Sequence, residues 1–264
     1  MRSIKLFQVD TFTDSIFGGN PAGVILTELW LTENQMQLIA NENNLAETAF
    51  IIPQKEDYRI RWFTPEIEVQ LCGHATLAAG FVLKKMYSVS KNPIRFHSNE
   101  KGILEVSENN EKFYLNFPSD NLNEINLVNK IADAIGCEPR MTLKGETDLI
   151  AILKDEESVR FLSPDFKKIS ALGGRGLIVT SEGENVDFVS RFFAPQTGVD
   201  EDYVTGSAHT SLIPFWSEKL NKIKLTASQV SKRDGFLDCE YLGERVIIGG
   251  KAQLYMKAEI YLPN

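Results

Sequence analysis

The chain has 264 residues, of which 43% are hydrophobic and 24% charged, a composition typical of a globular protein with one large or two modest cores. Its formal net charge is −8 without a visible stripe of Lys and Arg, which argues against a nucleic-acid partner. No apolar run is long enough to span a membrane, and the odd, widely spaced set of three cysteines predicts reduced thiols in a cytoplasmic protein.

The first elements follow from local patterns. Alternating apolar and polar residues predict a strand at residues 4–9 instead of a signal peptide. The stretch IFGGNPAGVIL, residues 16–26, predicts a loop, because its glycines and Asn-Pro mark a sharply turning backbone that can approach a ligand. The capping-box spacing at residues 32–35 predicts a helix that runs to about Asn43.

The remaining elements are mostly strands, together with two buried helices that carry little charge. In the first half, one such helix is predicted from Gly73 to about Met86, with strands near residues 46–53, 58–63, 94–97, 102–107 and 112–117. In the second half, we predict a helix at 124–135 ending at Gly136, and a buried helix from about Ser207 that Pro214 kinks. Strands are expected near 149–153, 176–180, 186–193, 222–226, 236–241, 245–248 and 253–260.

The chain also repeats itself. Residues 57–69 share Asp, Arg, Phe, Pro and Val with residues 187–199 at an offset of 130 (187 − 57). From Gly73 and Gly206 the offset is 133 (206 − 73) and stays there, as a single three-residue insertion would produce. We therefore predict two copies of one structural unit, joined near residues 119–123.

The two copies differ at places that matter for function. At an offset of 130, Glu47 corresponds to Leu177, and a lone acid at one of two equivalent positions is what a single catalytic base would look like. A surface glutamate at a strand end is the alternative. The insertion brings Glu201 and Asp202 close to the second buried helix, where they could bind a ligand or only complement the helix dipole.

Both buried helices begin with small residues, Gly73-His74-Ala75 and Gly206-Ser207-Ala208. Such starts leave backbone N–H groups unpaired, and we expect them to face an anion such as a carboxylate. Capping by water or by Thr64 and Asp202 is the alternative. The histidines and cysteines form no close ligand pairs, so no metal site is expected.

Four segments, IFGGNPAGVIL, AETAFI, FTPEIEVQLCGHAT and FFAPQTGVDEDYVTGSAH, resemble in order and spacing the signature segments of the PhzF-like phenazine-biosynthesis family. The resemblance implies an α+β, diaminopimelate-epimerase-like fold. Its two similar lobes each wrap a sheet around a central helix, and the active site lies in the cleft between them. The lobes would be residues 1–118, joined by the terminal strand 253–264, and residues 119–252.

By position, the resemblance implies that Glu47 is the catalytic acid/base. It also implies a substrate site lined by Asn20, His74, Asp202 and Ser207, to which the helix starts at Gly73 and Gly206 would add backbone donors. The family's best-known activity is the isomerisation of a dihydro-hydroxyanthranilate without a cofactor. We therefore predict a cofactor-independent isomerase that moves a proton within a small, cyclic, carboxylate-bearing substrate.

Other functions stay open. A two-thiol epimerase would need a cysteine before each buried helix, but Cys72 is matched by Thr205. An epimerase or dehydratase with one base is the alternative within the fold, and a non-catalytic ligand-binding protein is the alternative outside enzymes. The sequence does not identify the substrate, and a homodimer is the default expectation for such enzymes.

Overall fold

The chain folds, in a computed structural model that describes residues 2–263, into two compact units. Unit 1 comprises the chain up to Asn116 together with the stretch from Gly249 onward, and unit 2 comprises Phe117–Ile248. The sequence had suggested a first lobe ending at 118 and a returning strand from 253; the outer limits of that division, residues 1 and 264, lie outside the described residues.

The helices and strands run in chain order as follows. The first part contains β1 (Arg2–Thr11), β2 (Asn20–Leu26), α1 (Glu33–Asn43), β3 (Glu47–Gln54), β4 (Asp57–Phe63), β5 (Glu68–Val69), α2 (Gly73–Met86), β6 (Ile94–Ser98), β7 (Gly102–Asn109) and β8 (Lys112–Pro118). The second part contains β9 (Asn123–Glu124), α3 (Val128–Ile135), β10 (Met141–Lys144), β11 (Leu149–Ile152), α4 (Glu156–Arg160), α5 (Phe166–Ser170), β12 (Leu177–Glu182), β13 (Phe188–Ala194), a 3₁₀ turn (Pro195–Thr197), β14 (Val199–Asp202), α6 (Gly206–Leu220), β15 (Lys224–Gln229), β16 (Gly235–Tyr241) and β17 (Arg245–Gly250). The last strand is β18 (Ala252–Leu262).

In unit 1 the sheet surrounds helix α2. Strand β1 pairs with both β2 and β18, and α2 packs against β1, β2, β3 and β7. The helix has almost no exposed surface because its middle is a run of small and apolar residues. A Cβ on Gly80 would lie 2.5 Å from a methyl carbon of Val106 on β7, so only glycine allows helix and strand to approach this closely.

In unit 2 helix α6 takes the corresponding place and packs against β15 and β16. Trp216 on this helix stacks on Phe188 of β13 and donates its indole N–H to Thr180 Oγ1 at 3.0 Å. Pro214 lies inside α6, and the helix continues beyond it to Leu220. A central helix wrapped by strands, as the family resemblance implies, is therefore present in each unit.

The two units share one order of strand pairing. A parallel pair (β2–β3, β11–β12) is followed by an antiparallel pair (β3–β4, β12–β13) and a short antiparallel strand before the buried helix (β5, β14). A second parallel pair (β4–β6, β13–β15) and another antiparallel pair (β6–β7, β15–β16) come after it. The predicted internal duplication is confirmed.

Side-chain contacts repeat as well. Each unit has an arginine that binds a glutamate and lies over a phenylalanine ring: Arg61 with Glu68 and Phe63, and Arg191 with Glu201 and Phe193. Each unit also has an aspartate that accepts a hydrogen bond from a lysine at 2.5 Å: Asp57 from Lys91, and Asp187 from Lys222. Equivalent contacts at equivalent positions support the internal duplication.

The position of the insertion differs from the expectation. Trp62 pairs with Val69, and Phe192 pairs with Asp202, so Asp202 is the counterpart of Val69. Glu201 likewise corresponds to Glu68. The extra residues therefore lie earlier, around the 3₁₀ turn, and Glu201 and Asp202 are not part of the insertion.

The counterpart of Glu47 also differs. Phe63 pairs with Thr48, whereas the equivalent Phe193 pairs with Leu177, so the residue that matches Glu47 is Gly176, one position before Leu177. A Cβ on Gly176 would lie 2.4 Å from the Phe192 ring. Unit 2 thus has no room for a side chain where unit 1 has a carboxylate, and the asymmetry between the copies persists.

Several local predictions need correction. Strand β2 begins at Asn20, inside the stretch predicted as a loop, because NPAGVIL is a run of largely buried residues that pairs with β1 and β3. Helix α3 begins at Val128 instead of residue 124, where strand β9 lies. The short elements β5, β10, β14, α4 and α5 were not predicted. In the part of the chain that the structure describes, no helix is long and apolar enough to cross a membrane.

Candidate functional site

The first cluster of candidate residues lies where β2, β3 and α2 begin. Strands β2 and β3 are parallel and adjacent, with Ala22 opposite Glu47, so Asn20 and Glu47 are both at the start of their strands. His74 is the second residue of α2, and Cys72 is the residue before the helix. Sequence segments that are far apart thereby place an amide, a carboxylate, an imidazole and a thiol close together.

The loop before β2 is built to fix Asn20. Gly19 has a φ of +59°, and a Cβ there would lie 2.0 Å from the Thr11 carbonyl oxygen, so this position requires glycine. Buried Asp10 accepts the Phe17 N–H at 2.9 Å and holds the loop. Thr11 Oγ1 donates to the Asn20 carbonyl oxygen at 2.9 Å. The main chain at Asn20 is therefore held on both sides.

His74 is the centre of the cluster and is buried, with 4% of its surface exposed. Its Nδ1 lies 3.3 Å from Asn20 Nδ2 and 3.5 Å from Cys72 Sγ. Its Nε2 lies 3.2 Å from Glu47 Oε2, but this contact lacks the alignment of a good hydrogen bond. A buried imidazole nitrogen directed at a carboxylate without a well-formed bond suits a site where a ligand group would complete the geometry.

The start of α2 carries no side-chain cap from Cys72, the residue before the helix. Thr64, which the sequence offered as a cap, instead closes its own turn by accepting the N–H groups of Glu66 and Ile67. Thr76 Oγ1 donates to the Cys72 carbonyl oxygen at 2.6 Å and accepts the Trp62 indole N–H. The backbone before the helix is thus fixed from within the core.

Glu47, Cys72 and His74 also provide three atoms that lie within 4.8 Å of one another and could ligate a metal ion. Two features of the geometry disfavour this. Cys72 and Glu47 approach different nitrogens of the imidazole, so one ion does not replace both contacts. The N-terminus of a helix carries partial positive charge, which repels a cation. The cluster is better suited to hydrogen bonding and proton transfer than to a metal.

The second cluster belongs to unit 2 and lies at the start of α6. Arg175 donates through Nε to Asp148 Oδ1 at 2.9 Å and through Nη2 to the other oxygen of the same carboxylate. Only 3% of the Asp148 side chain is exposed, so this ion pair fixes the guanidinium. Arg175 Nη1 then donates to Ser207 Oγ at 2.9 Å.

Asp202 is held close to the same helix start. Thr205 Oγ1, from the residue before α6, donates to Asp202 Oδ2 at 2.6 Å. Buried Gln229 donates to the Asp202 carbonyl oxygen and accepts the Thr205 N–H, both at 2.8 Å. Gly206 follows as the first helical residue. The Thr205 side chain does not cap the helix.

The predicted residues therefore form one group in each unit. Asn20, Glu47, Gly73 and His74 meet in unit 1, and Asp202, Gly206 and Ser207 meet in unit 2. Sequence reasoning missed Arg175, Asp148 and Gln229 because their contacts span 24 to 32 residues. The only local signal for Arg175 was its place in the glycine-rich run GGRG.

Each of the duplicated α+β units is built around a buried helix, and in unit 1 a carboxylate and an imidazole lie at the start of that helix. A family sequence profile described as "Phenazine biosynthesis-like protein" matches residues 9–258. An uncharacterized isomerase of Pseudomonas aeruginosa is 47% identical over 98% of this chain and 99% of that protein. A similar one from Halalkalibacterium halodurans is 40% identical over 99% and 100%.

A solved structure of a PhzF family protein from Enterococcus faecalis has a TM-score of 0.97 and 48% sequence identity, covering 99% of this chain and all of that one. The chain belongs to the PhzC–PhzF, phenazine biosynthesis-like family. Its place among the isomerases of that family follows from the relatives named above.

Proposed function

We propose that this protein is a cofactor-independent isomerase that moves a proton within a small, carboxylate-bearing, cyclic substrate, with Glu47 as the acid/base. The observation that carries the proposal is the Glu47 carboxylate at 3.2 Å from the buried Nε2 of His74, beside a helix start that the Cys72 side chain does not cap. A carboxylate held in place can take a proton from an activated carbon and return it to another carbon.

The other site residues have supporting roles in this proposal. Backbone N–H groups at Gly73 and His74, and at Gly206 and Ser207, would bind the carboxylate and the negative charge that develops in the transition state. The side chains of Cys72 and Thr205, the residues before the two helices, do not cap them, which supports this assignment. Asn20, Asp202 and Ser207 would orient the polar groups of the substrate.

Solvent isotope exchange tests the function. The protein is incubated in deuterated water with a panel of small cyclic amino and hydroxy acids, including the dihydro-hydroxyanthranilate that the family resemblance suggests. We expect one compound to gain deuterium at carbon or to change into an isomer. Both readouts are needed, because a proton that is recycled within the site escapes exchange. A compound that binds tightly without exchange or conversion would instead indicate a ligand-sensing protein.

A second candidate function is a one-base epimerase or dehydratase that uses the Cys72 thiol. It is favoured by one observation, the 3.5 Å distance between Cys72 Sγ and His74 Nδ1, because an imidazole can accept a thiol proton. Substitution of Glu47 and of Cys72 distinguishes the two functions, as set out in the Discussion. The homodimer and the cytoplasmic location expected from the sequence stay predictions.

A further inference from the structure

The imidazole of His74 has one nitrogen in contact with donors and the other in contact with an acceptor. Nδ1 lies 3.3 Å from Asn20 Nδ2 and 3.5 Å from Cys72 Sγ. Nε2 lies 3.2 Å from Glu47 Oε2. The ring is buried in unit 1, so these groups and not bulk water decide where its proton resides.

The hydrogen-bonding chemistry of the neighbouring groups determines which ring nitrogen of His74 carries the proton. The amide nitrogen of asparagine only donates, and a neutral thiol is a weak donor, so Nδ1 has to accept. A neutral imidazole has one donor and one acceptor nitrogen, which leaves the proton on Nε2. We propose that Asn20 is a positioning residue that holds His74 as the neutral Nε2–H tautomer, with its proton on the nitrogen that lies 3.2 Å from Glu47 Oε2.

The consequence for catalysis rests on the function proposed above. A histidine in this form can donate a hydrogen bond to Glu47 or to a substrate oxygen, but its Nε2 cannot take a proton. Glu47 would therefore accept the proton from the substrate carbon while the electron pair of the C–H bond enters the conjugated system. The same proton then returns to a second carbon, and the double bonds of the substrate shift. His74 keeps its own proton throughout.

The tautomer of His74 also determines whether Cys72 is a thiol or a thiolate. A thiolate would be paired with an imidazolium, in which both ring nitrogens are protonated. The neutral Nε2–H form instead requires the thiol. The protonation of His74 thus reports, without any substrate, whether Cys72 is a thiol or a preformed thiolate in the resting protein.

His209 is an internal reference, because its proton is expected on Nδ1 and not on Nε2. Its Nδ1 lies 2.9 Å from the Thr205 carbonyl oxygen, which can only accept, so its proton is on Nδ1. Complete burial lowers the pKa of His209 to about 4, so the ring is neutral at pH 7. The sequence contains only three histidines, which makes every ring assignable.

The experiment is a long-range ¹H–¹⁵N correlation spectrum of the full chain labelled with ¹⁵N-histidine, near pH 7.5. An unprotonated ring nitrogen resonates far downfield of a protonated one, and single His→Gln variants assign the signals. We expect unprotonated Nδ1 and protonated Nε2 for His74, and the reverse for His209. His74 protonated on Nδ1 alone would overturn the proposal, and so would protonation of both nitrogens, which would favour the thiolate mechanism.

The role of Asn20 is tested by Asn20→Asp, which replaces the donor with an anionic acceptor. We expect Nδ1 of His74 to become protonated, because the residue beside it now accepts a hydrogen bond. Cys72→Ala is the matched control and should leave the His74 pattern unchanged, because Asn20 remains. The signal of His97, in the same unit, reports whether the variant is folded.

A folded Asn20→Asp protein with an unchanged His74 pattern would overturn the positioning role. If that variant does not fold, the wild-type spectrum still decides the tautomer. A failure of the isotope-exchange assay with the expected His74 spectrum would count against the proposed function and not against the tautomer.

Discussion

His74 and Ser207 occupy the same place in the first turn of the two buried helices, at an offset of 133 (207 − 74). Each side chain is approached by a donor from a neighbouring segment, Asn20 Nδ2 for His74 and Arg175 Nη1 for Ser207. A donor that occupies the acceptor atom leaves the proton of the side chain for another partner. The two units thus use different residues, but in each unit the side chain in the first helical turn keeps its proton available for another partner.

Glu47→Gln is the substitution that most directly tests the acid/base. The amide keeps the shape of the side chain but cannot accept a proton, so we expect turnover to fall about 10² to 10⁴-fold, the usual loss for a general base. Binding of the substrate should persist, because the proposed carboxylate donors are backbone groups. Steady-state kinetics on the compound found by isotope exchange measure both effects.

Cys72→Ala tests the alternative mechanism, in which the thiol is the base. Cys72 is 5% exposed, and we expect its loss to lower the free energy of unfolding by about 1 kcal/mol with little effect on turnover. Denaturant unfolding and the same kinetic assay provide the two readouts. An inactive Cys72→Ala protein together with a fully active Glu47→Gln protein would reverse the assignment in favour of the one-thiol mechanism.

Arg175→Lys tests the contact that the sequence did not reveal. Lysine keeps the charge beside Asp148 but cannot bind that carboxylate through two nitrogens while reaching Ser207. We expect kcat/KM to fall about tenfold, the effect of about 1.4 kcal/mol from one hydrogen bond. In a double-mutant cycle, Arg175→Lys should add nothing to Ser207→Ala; full additivity would show that Arg175 acts independently of Ser207.

Among the elements, those with local signals were predictable. The α1 capping box is present, with Thr32 Oγ1 accepting from the Gln35 N–H and the Gln35 side chain accepting from the Thr32 N–H. The uncharged segments that became α2 and α6 needed no tertiary information. Strand β2 could not be predicted without tertiary information, because Gly and Pro predict a turn unless neighbouring strands pair with the segment.

Registers between strands were the other quantity that the sequence could not provide. A shift of one residue separates Leu177 from Gly176 as the counterpart of Glu47, and residue identities alone do not resolve it. The three-residue insertion was misplaced for the same reason, since only pairing shows that Asp202 matches Val69. The candidate site residues did not depend on register, because the family resemblance assigns them from the four sequence segments that carry it, and their roles stay predictions.

Gly80→Ala tests the packing of α2 against β7. In an exposed helix this change would stabilise by about 1 kcal/mol. Here the new methyl group would meet Val106 at 2.5 Å, so we expect a net loss of about 1–3 kcal/mol from overpacking. Denaturant unfolding measures the loss. Adding Val106→Ala should recover part of it, and an absence of recovery would indicate that the clash is elsewhere.

The burial of His209 makes the stability of the folded protein depend on pH. Burial depresses its pKa from 6.5 to about 4, so the folded state binds fewer protons than the unfolded state between these values. The contribution is fully present above pH 6.5 and is lost progressively as the pH falls towards 4, to a total of about 3 kcal/mol.

The measurement is denaturant unfolding between pH 4 and 8. His209→Gln should flatten the curve in this window, since the side chain no longer titrates. His97→Gln is the control, because its ring is partly exposed and bound to Asp57. An unchanged pH dependence in His209→Gln would assign the acid sensitivity to other groups.

The pairing of β18 with β1 has a consequence for how the chain is made. Ile4 pairs with Ile260, so unit 1 receives its last strand only after all of unit 2 has been synthesised. Unit 2 is one continuous stretch and can fold as it leaves the ribosome, whereas β1 must wait with one edge unpaired. That edge is a template for pairing with another chain during the interval. Premature termination before β18 would therefore release a chain with a complete unit 2 and an aggregation-prone unit 1.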